Sequence, residues 1–262
     1  QFISKLTQLQ LNKNKNLSKL KNFVHNYKNP EAEVLIAMCG KYTELIDSYK
    51  SVLESFVHAG VENNTRVNIK WVKTDKITND TTAIKEFKNV DGILILPGFG
   101  ARGSEGKILS SKFARENNVP FFGICLGMQC AIIDFARHVC GLKEANSTEF
   151  NKRTKYPVID LMDSQKEVSK KGGTMRLGAY KCKLEKGSRS FVAYGKQVIS
   201  ERHRHRYEFN NEYLHDFETN GMKAIGINPD NNLVEVVEIP DHPWFVGVQY
   251  HPELKSTVDE PH

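Results

Sequence analysis

Three apolar runs in the first half of the chain are continuous rather than alternating. Residues 34–39 run into Gly40, residues 93–96 into Pro97-Gly98-Phe99-Gly100, and Val119-Pro120-Phe121-Phe122-Gly123-Ile124 into Cys125. A short run that is apolar at every position suits a strand buried on both faces, as in a parallel sheet. Residues 67–72 alternate in part and read as a further strand. Elsewhere the period lengthens. Tyr49, Val52, Leu53, Phe56 and Val57 predict a helix over 47–59 that stops at Gly60, and Leu126, Ala131, Ile132, Phe135 and Val139 predict another after Cys125. The order strand, helix, strand, strand, strand, helix predicts an α/β fold of three layers: a mostly parallel central sheet with helices on both faces and right-handed crossovers. In such sheets ligands bind at the carboxyl ends of the strands, where the turns at 97–100 and 123–127 lie. Two antiparallel strands are expected at 233–239 and 245–250, followed by His251-Pro252-Glu253. Residues 141–190 are less periodic and carry a lysine-rich loop with Lys166, Lys170 and Lys171.

The formal net charge of +6 suggests a polyanionic partner until its distribution is counted. Six of the 37 Lys and Arg lie in residues 1–30, which hold no acid, so the rest of the chain has 31 basic and 31 acidic side chains. The basicity belongs to the N-terminal segment, and no nucleic-acid partner is expected. That segment reads as two short amphipathic helices, carrying Phe2, Leu6 and Leu9, then Leu17, Leu20 and Val24, on a polar hinge at 12–16. Residues 31–262 can bury one substantial core. No run approaches the roughly 18 apolar residues of a membrane span, and no secretory pattern occurs. Five cysteines at irregular spacing, without Cys-x-x-Cys, argue against a disulfide framework or zinc ribbon and for a reducing, cytoplasmic setting.

The candidate chemistry centres on Gly123-Ile124-Cys125-Leu126-Gly127-Met128-Gln129. Cys125 falls at a sharp strand-to-helix turn between two glycines, the nucleophile-elbow arrangement with Cys in place of Ser. Free N–H groups at the helix start favour thiolate over thiol. The other reading, a small buried hydrophobe, is preferred for Cys39, Cys130, Cys140 and Cys182. A nucleophilic Cys needs a base, and the base an orienter. His251 follows a strand, Glu253 lies two residues on, and Pro252 stiffens the backbone between them; the alternative is a pair of exposed loop residues. An oxyanion needs two convergent donors, and the N–H groups of Leu126 and Gly98 are the candidates. In 202–206 alternation sets Arg202, Arg204 and Arg206 on one face and His203 and His205 on the other, either as a solvated strand or with Arg206 as an anion fork.

Taken together, these segments resemble class I glutamine amidotransferase domains, and among them the glutaminase domains of CTP synthases. The likeness runs from about 34 to 253. It is carried by Gly40-Lys41-Tyr42-Thr43 with Asp47-Ser48-Tyr49, by Arg102-Gly103-Ser104-Glu105-Gly106, by the Cys125 heptapeptide, and by 145–150, 172–178, 201–208 and 249–253. Arg202-His203-Arg204-His205-Arg206-Tyr207 and Asn146-Ser147-Thr148-Glu149-Phe150 point to the narrower group. The resemblance implies a flavodoxin-like fold for 31–262 and an interdomain linker at 1–30. It implies that Cys125 attacks the side-chain amide of L-glutamine, that His251 shuttles protons and that Glu253 orients it. It also implies that Gly98 and Leu126 form the oxyanion hole, that Glu149 and Arg206 hold the α-amino and α-carboxylate groups, and that Phe99 and Gln129 line the pocket. Arg102, Gly103 and Glu105 match a GTP-responsive loop. The implied ammonia acceptor is UTP, on an amidoligase domain that binds ATP and magnesium in a homotetrameric longer protein; this domain itself is expected to need no cofactor or metal. One departure stands out. The family usually reads Pro-Gly-Gly-Phe-Gly where this chain has Leu96-Pro97-Gly98-Phe99-Gly100, and Pro97 has no N–H to donate. A different class I amidotransferase, a γ-glutamyl hydrolase, or a non-catalytic α/β module with a redox-reactive Cys125 are the competing readings.

Overall fold

The computed structural model describes residues 17–41, 46–161 and 175–262. The first N-terminal helix and its hinge, Tyr42 and Thr43, the lysines at 166, 170 and 171, and Gly172, Gly173 and Thr174 lie outside the described residues. The second N-terminal helix is present as α1 (Ser18–Lys28), with no buried residue.

The predicted strands become β1 (Ala32–Gly40), β2 (Thr65–Lys73), β3 (Gly92–Ile95) and β4 (Phe121–Ile124). The helix expected over 47–59 starts as a 3-10 turn and continues as α2 (Lys50–Glu62). It runs through Gly60 instead of stopping there. A Cβ at Gly60 would lie 2.5 Å from the Thr65 carbonyl oxygen, so the glycine serves close packing against β2 and not a cap. Two crossover helices were not foreseen: α3 (Asp80–Phe87) and α4 (Ser104–Glu116). The eight residues of α3 are too few to show a period, but its start is marked by a capping box in which Thr82 N–H donates to Asn79 Oδ1 at 2.9 Å and Asn79 N–H to Thr82 Oγ1 at 3.1 Å. After β4 comes α5 (Leu126–His138).

The second half supplies β5 (Ala145–Ser147), β6 (Tyr156–Leu161), β7 (Arg176–Leu184), α6 (Arg189–Tyr194), β8 (Val198–His205), β9 (Tyr207–Phe209), α7 (Leu214–Thr219), β10 (Lys223–Ile227), β11 (Val234–Glu238) and β12 (Phe245–Val248). The main sheet has nine strands in the order β2-β1-β3-β4-β12-β11-β10-β7-β8; β5, β6 and β9 form a separate small sheet. Pairing is parallel from β2 across to β12 and antiparallel from β12 to β8. The three-layer α/β class holds, with a mixed sheet.

Apolar side chains fill both faces. Ala83, Phe87, Ile108, Ile132, Phe135 and Phe217, from α3, α4, α5 and α7, pack with Ile93, Ile95 and Phe121 on one face. Tyr49, Val52 and Phe191 pack with Met38, Leu94, Ile124 and Val248 on the other. The neighbouring strands β4 and β12 are tied by Phe121 and Phe245, whose rings stack at 4.2 Å. Because β1, β3, β4 and β12 all run the same way, their carboxyl ends share one rim. Among the described residues no helix is long and apolar enough to cross a membrane.

Candidate active site

Cys125 caps the first turn of α5 from the end of β4, with φ 54° and ψ −103°. L-residues seldom adopt positive φ, and the surroundings enforce it. The Cys125 N–H donates to the Val248 carbonyl at 2.7 Å, and the Gln129 N–H to the Cys125 carbonyl at 3.2 Å. The flanking glycines let the turn close: a Cβ at Gly127 would sit 2.4 Å from the Ile95 carbonyl oxygen, and one at Gly123 would sit 2.7 Å from the Gly127 carbonyl carbon.

His251 lies just beyond β12, next to β4, with its N–H held by the Arg202 carbonyl at 2.8 Å. Its Nδ1 is 2.8 Å from Glu253 Oε1. Its Nε2 is buried and completes no hydrogen bond. Burial alone would lower the His251 pKa, but the neighbouring Cys125 and Glu253 outweigh it and raise the value to about 10. Cys125, His251, Glu253, Gly98 and Phe99 all line one cleft of about 430 Å³ at the strand-end rim.

The segment after β3 forms the facing wall. The Leu96 N–H donates to the Cys39 carbonyl at 3.0 Å, and the Leu96 carbonyl accepts from Lys107 Nζ at 2.7 Å. The Phe99 carbonyl accepts from Lys41 Nζ, and the Gly100 N–H donates to Glu149 Oε1 at 2.7 Å. Neither Gly98 nor Leu126 gives its N–H to an acceptor among the described residues.

The sequence-selected substrate residues divide. Glu149 follows β5 at the rim; burial raises its pKa against the Gly100 N–H and the charges of Lys41, Arg206 and Lys107. Glu149 and Arg206 feel each other's charge, but neither is among the residues lining the cleft, to which Arg204 contributes instead. Phe99 is 44% exposed and lines the cleft. Gln129 differs from expectation: it is buried, and its amide donates to the Tyr207 carbonyl at 2.9 Å and to Gln249 Oε1 at 3.1 Å. Both amide hydrogens are committed to bracing β9 and the end of β12, so Gln129 supports the wall from behind. In the 102–105 loop, Arg102 reaches Asp75 at 4.0 Å, while Glu105 takes two bonds from Arg137, at 2.8 and 3.3 Å. Glu105 is thus anchored to α5, the helix that starts at Cys125.

The alternation in 198–205 is as expected: Glu201, His203 and His205 are buried and Arg202 and Arg204 exposed. What the sequence did not disclose is the company of the histidines. Arg176 bonds Glu208 at 3.0 Å and Glu235 at 2.8 Å, and His203 Nδ1 lies 2.8 Å from His205 Nε2. Burial, then the Arg176 and His251 charges, pushes His203 down to about 3, and burial drives Glu208 up to about 8. A signal existed: Glu235 interrupts an otherwise valine-rich strand. Lys107, buried at 1% exposure in α4, was also missed. A lysine beside Ile108 and Leu109 reads as the polar face of a helix, so nothing in the pattern marks it as interior.

Residues 44–262 match the family described as Glutamine amidotransferase class-I. The chain is 59% identical over 246 residues to a CTP synthase of Cytophaga hutchinsonii, covering 94% of this chain and 46% of that protein. It is 58% identical over 247 residues to a CTP synthase of Christiangramia forsetii, covering 94% and 45%. The chain therefore spans about half the length of the curated relatives it matches. Among solved structures, the glutaminase domain of Trypanosoma brucei CTPS with bound acivicin superposes with a TM-score of 0.82 at 38% identity, covering 87% of this chain and 89% of that one. A putative GMP synthase protein of Thermoplasma acidophilum shares the fold alone, at a TM-score of 0.53 and 15% identity, covering 85% of this chain and 86% of that one.

Proposed function

The chain belongs to the class-I glutamine amidotransferases, and on that premise we propose that it is the glutaminase domain of a CTP synthase, hydrolysing L-glutamine to glutamate and ammonia. The observation that carries the reading is the 2.8 Å His251–Glu253 pair at the end of β12, facing the positive-φ Cys125 at the end of the adjacent, parallel β4.

In this reading the Cys125 sulfur, having lost its proton to His251, attacks the side-chain amide carbon of glutamine. The C=O electrons move onto oxygen, where the N–H groups of Gly98 and Leu126 receive the charge. Collapse breaks the C–N bond, and His251 returns the proton to the departing nitrogen, releasing ammonia. Water, deprotonated by His251, then attacks the glutamyl thioester and restores the Cys125 thiol. Glu253 holds the imidazole with Nε2 toward sulfur. Arg206 takes the α-carboxylate. Glu149 takes the α-amino group with the oxygen not engaged by Gly100, so one residue ties substrate to the wall that carries Gly98. Phe99 closes the outer edge.

In a protein of the relatives' length, ammonia passes to UTP activated by ATP and magnesium on the other domain, and GTP acts through Arg102, Gly103 and Glu105. That protein is proposed to be a cytoplasmic homotetramer, a setting suited to the five free cysteines. A missing oxyanion donor lowers kcat roughly 100- to 1000-fold, and Pro97 precedes the Gly98 donor. Turnover by this chain alone should therefore lie at least about 100-fold below that of a full-length relative. The deciding experiment treats the chain with an electrophilic glutamine analogue such as acivicin and maps the adduct. Modification of Cys125 alone, prevented by glutamine, is expected. Modification elsewhere, or none, would overturn the assignment.

A further inference from the structure

Lys107 lies two residues beyond the Arg102–Glu105 loop, on the face of α4 that packs against the sheet. It is buried, and its Nζ donates to the Leu96 carbonyl at 2.7 Å. It also stands 3.7 Å from where a Cβ on Gly98 would be, with Leu126 Cδ2 at 3.6 Å from the same point. The ammonium and the Leu126 side chain thus approach the same side of Gly98, behind the cleft wall.

Its electrostatic surroundings are unusual for an interior lysine. Buried lysines are ordinarily paired with a carboxylate, yet among the described residues no carboxylate lies within ion-pair distance of Lys107. Burial pulls its pKa down. The groups that favour its charge are thiols: Cys130 on α5, Cys39 on β1 and Cys125 itself; Lys41 opposes it. Burial raises Cys39 and Cys130 to about 12, so both stay protonated. Cys125 is then the thiol positioned to become the counter-ion. A buried cation without a partner is unfavourable in the resting site and is relieved when negative charge develops beside it.

The backbone accounting points the same way. With the Leu96 N–H on Cys39 and the Leu96 carbonyl on Lys107, the peptide leading into Pro97 is fixed at both ends of Leu96. Pro97 has a fixed φ and no N–H. The Gly98 N–H is then separated from the Leu96 peptide held by Lys107 by one adjustable torsion, ψ of Pro97.

We propose that Lys107 is an electrostatic positioning residue of this site: its ammonium clamps the Leu96 carbonyl and so anchors the segment from which the Gly98 N–H reaches the developing oxyanion, and its charge supports the thiolate and oxyanion formed at Cys125. The inference rests on the glutaminase reading of the cleft. It accounts for a charged side chain in the core that neither the Cys125–His251–Glu253 set nor glutamine binding requires.

The test replaces the cation with a side chain of similar length, Lys107→Met, in this 262-residue chain. Four quantities are measured: kcat and KM for ammonia release, the melting temperature, and the pH midpoint for iodoacetamide alkylation of Cys125 followed by peptide mapping. The expected result is a kcat lower by 30- to 300-fold, a KM within threefold, an unchanged or higher melting temperature, and an alkylation midpoint raised by about one pH unit, because thiolate loses its neighbouring cation. An unchanged midpoint with kcat within threefold would overturn the proposal. So would a loss of kcat matched by a rise in KM and a lower melting temperature, which is the signature of packing. If Lys107→Met does not fold, Lys107→Gln is judged by the same thresholds. Alkylation needs no turnover, so it judges Lys107 even if the unaltered chain releases no ammonia, an outcome that would instead sink the reading of the cleft.

Discussion

From β2 to β12 the main sheet is parallel, and its interior positions are Ala37, Met38, Cys39, Ile93, Leu94, Ile95 and Phe121. From β12 to β8 it is antiparallel, and its interior holds Arg176, Glu201, His203, His205, Glu235 and Glu238. The first half is rigid because apolar groups interlock; it needs no partner beyond close fit. The second adds to apolar groups such as Leu184, Ile225 and Val236 a set of buried charges that must be matched. Glu238, for instance, is satisfied by the N–H groups of Arg189 and Ser190 and by the Ser190 hydroxyl at 2.6 Å. The cleft sits where the halves meet: Cys125 rises from the dry half, while His251, bonded to the Arg202 carbonyl, and Arg204 belong to the charged one. The comparison teaches that nucleophile placement depends on sterics, and base strength on the two groups beside His251, Cys125 and Glu253. The two should fail differently.

Substitution at the seam has the largest expected effect. Cys125→Ala should reduce glutamine hydrolysis by about 10⁴-fold or more with the fold retained, read by ammonia release beside circular dichroism. Next, Arg176→Met leaves Glu208 and Glu235 buried without their cation and should destabilise the chain by about 3–5 kcal/mol. Ile95→Val in the dry half should remove only about 0.5–1.5 kcal/mol. Urea titrations of both decide whether the halves differ as described, and adding Glu208→Gln and Glu235→Gln to Arg176→Met should recover most of the loss.

At the cleft edge, Glu149→Gln and Arg206→Ala each remove a charge partner of the glutamine zwitterion, worth roughly 2–4 kcal/mol if desolvated. KM should rise by one to two orders of magnitude with a smaller change in kcat. A KM within twofold, with kcat alone reduced, would count against both assignments.

The smallest effect is a slope. Glu208 is raised from 4.5 to about 8, so the folded chain holds a proton that the unfolded chain has released between those values. Its contribution to stability is complete below about pH 4.5 and is lost as pH rises through 8, at up to about 1.4 kcal/mol per pH unit. His203, lowered from 6.5 to about 3, acts oppositely, weakening the fold as pH falls below 6.5. His251 adds to the alkaline loss but is common to both proteins compared. Melting temperatures from pH 6.5 to 8 should therefore fall less steeply in Glu208→Gln than in the unaltered chain. Parallel curves would mean that Glu208 is ionised throughout.

The dry half was legible because its code is local. Unbroken apolar runs ending in glycine gave β1, β3 and β4, and two glycines around Cys125 gave the elbow. His251 and Glu253 were legible as a pair because they are two residues apart. The strands of the charged half were legible too, at 233–239 and 245–250 and in the alternation of the arginines and histidines, but its pairings were not: they join Arg176, Glu208 and Glu235 across three strands, and spacing carries no information about such contacts. The same limit hid Lys107, whose partner carbonyl at Leu96 lies in another element, and gave Gln129 to the pocket when its amide is engaged behind it. Short α3 was missed because propensity was read by period, whereas its evidence was a cap.

The φ of 54° at Cys125 reaches beyond mechanism, into what selection can do with this chain. A non-glycine residue held there costs on the order of 1–3 kcal/mol, which glycine would relieve. A lineage screened only for endurance to heat would therefore drift toward Gly at 125, gaining robustness while silencing its chemistry. Retention of cysteine at that position is accordingly a record of use: it marks descendants in which turnover, and not mere persistence of the fold, has been under selection.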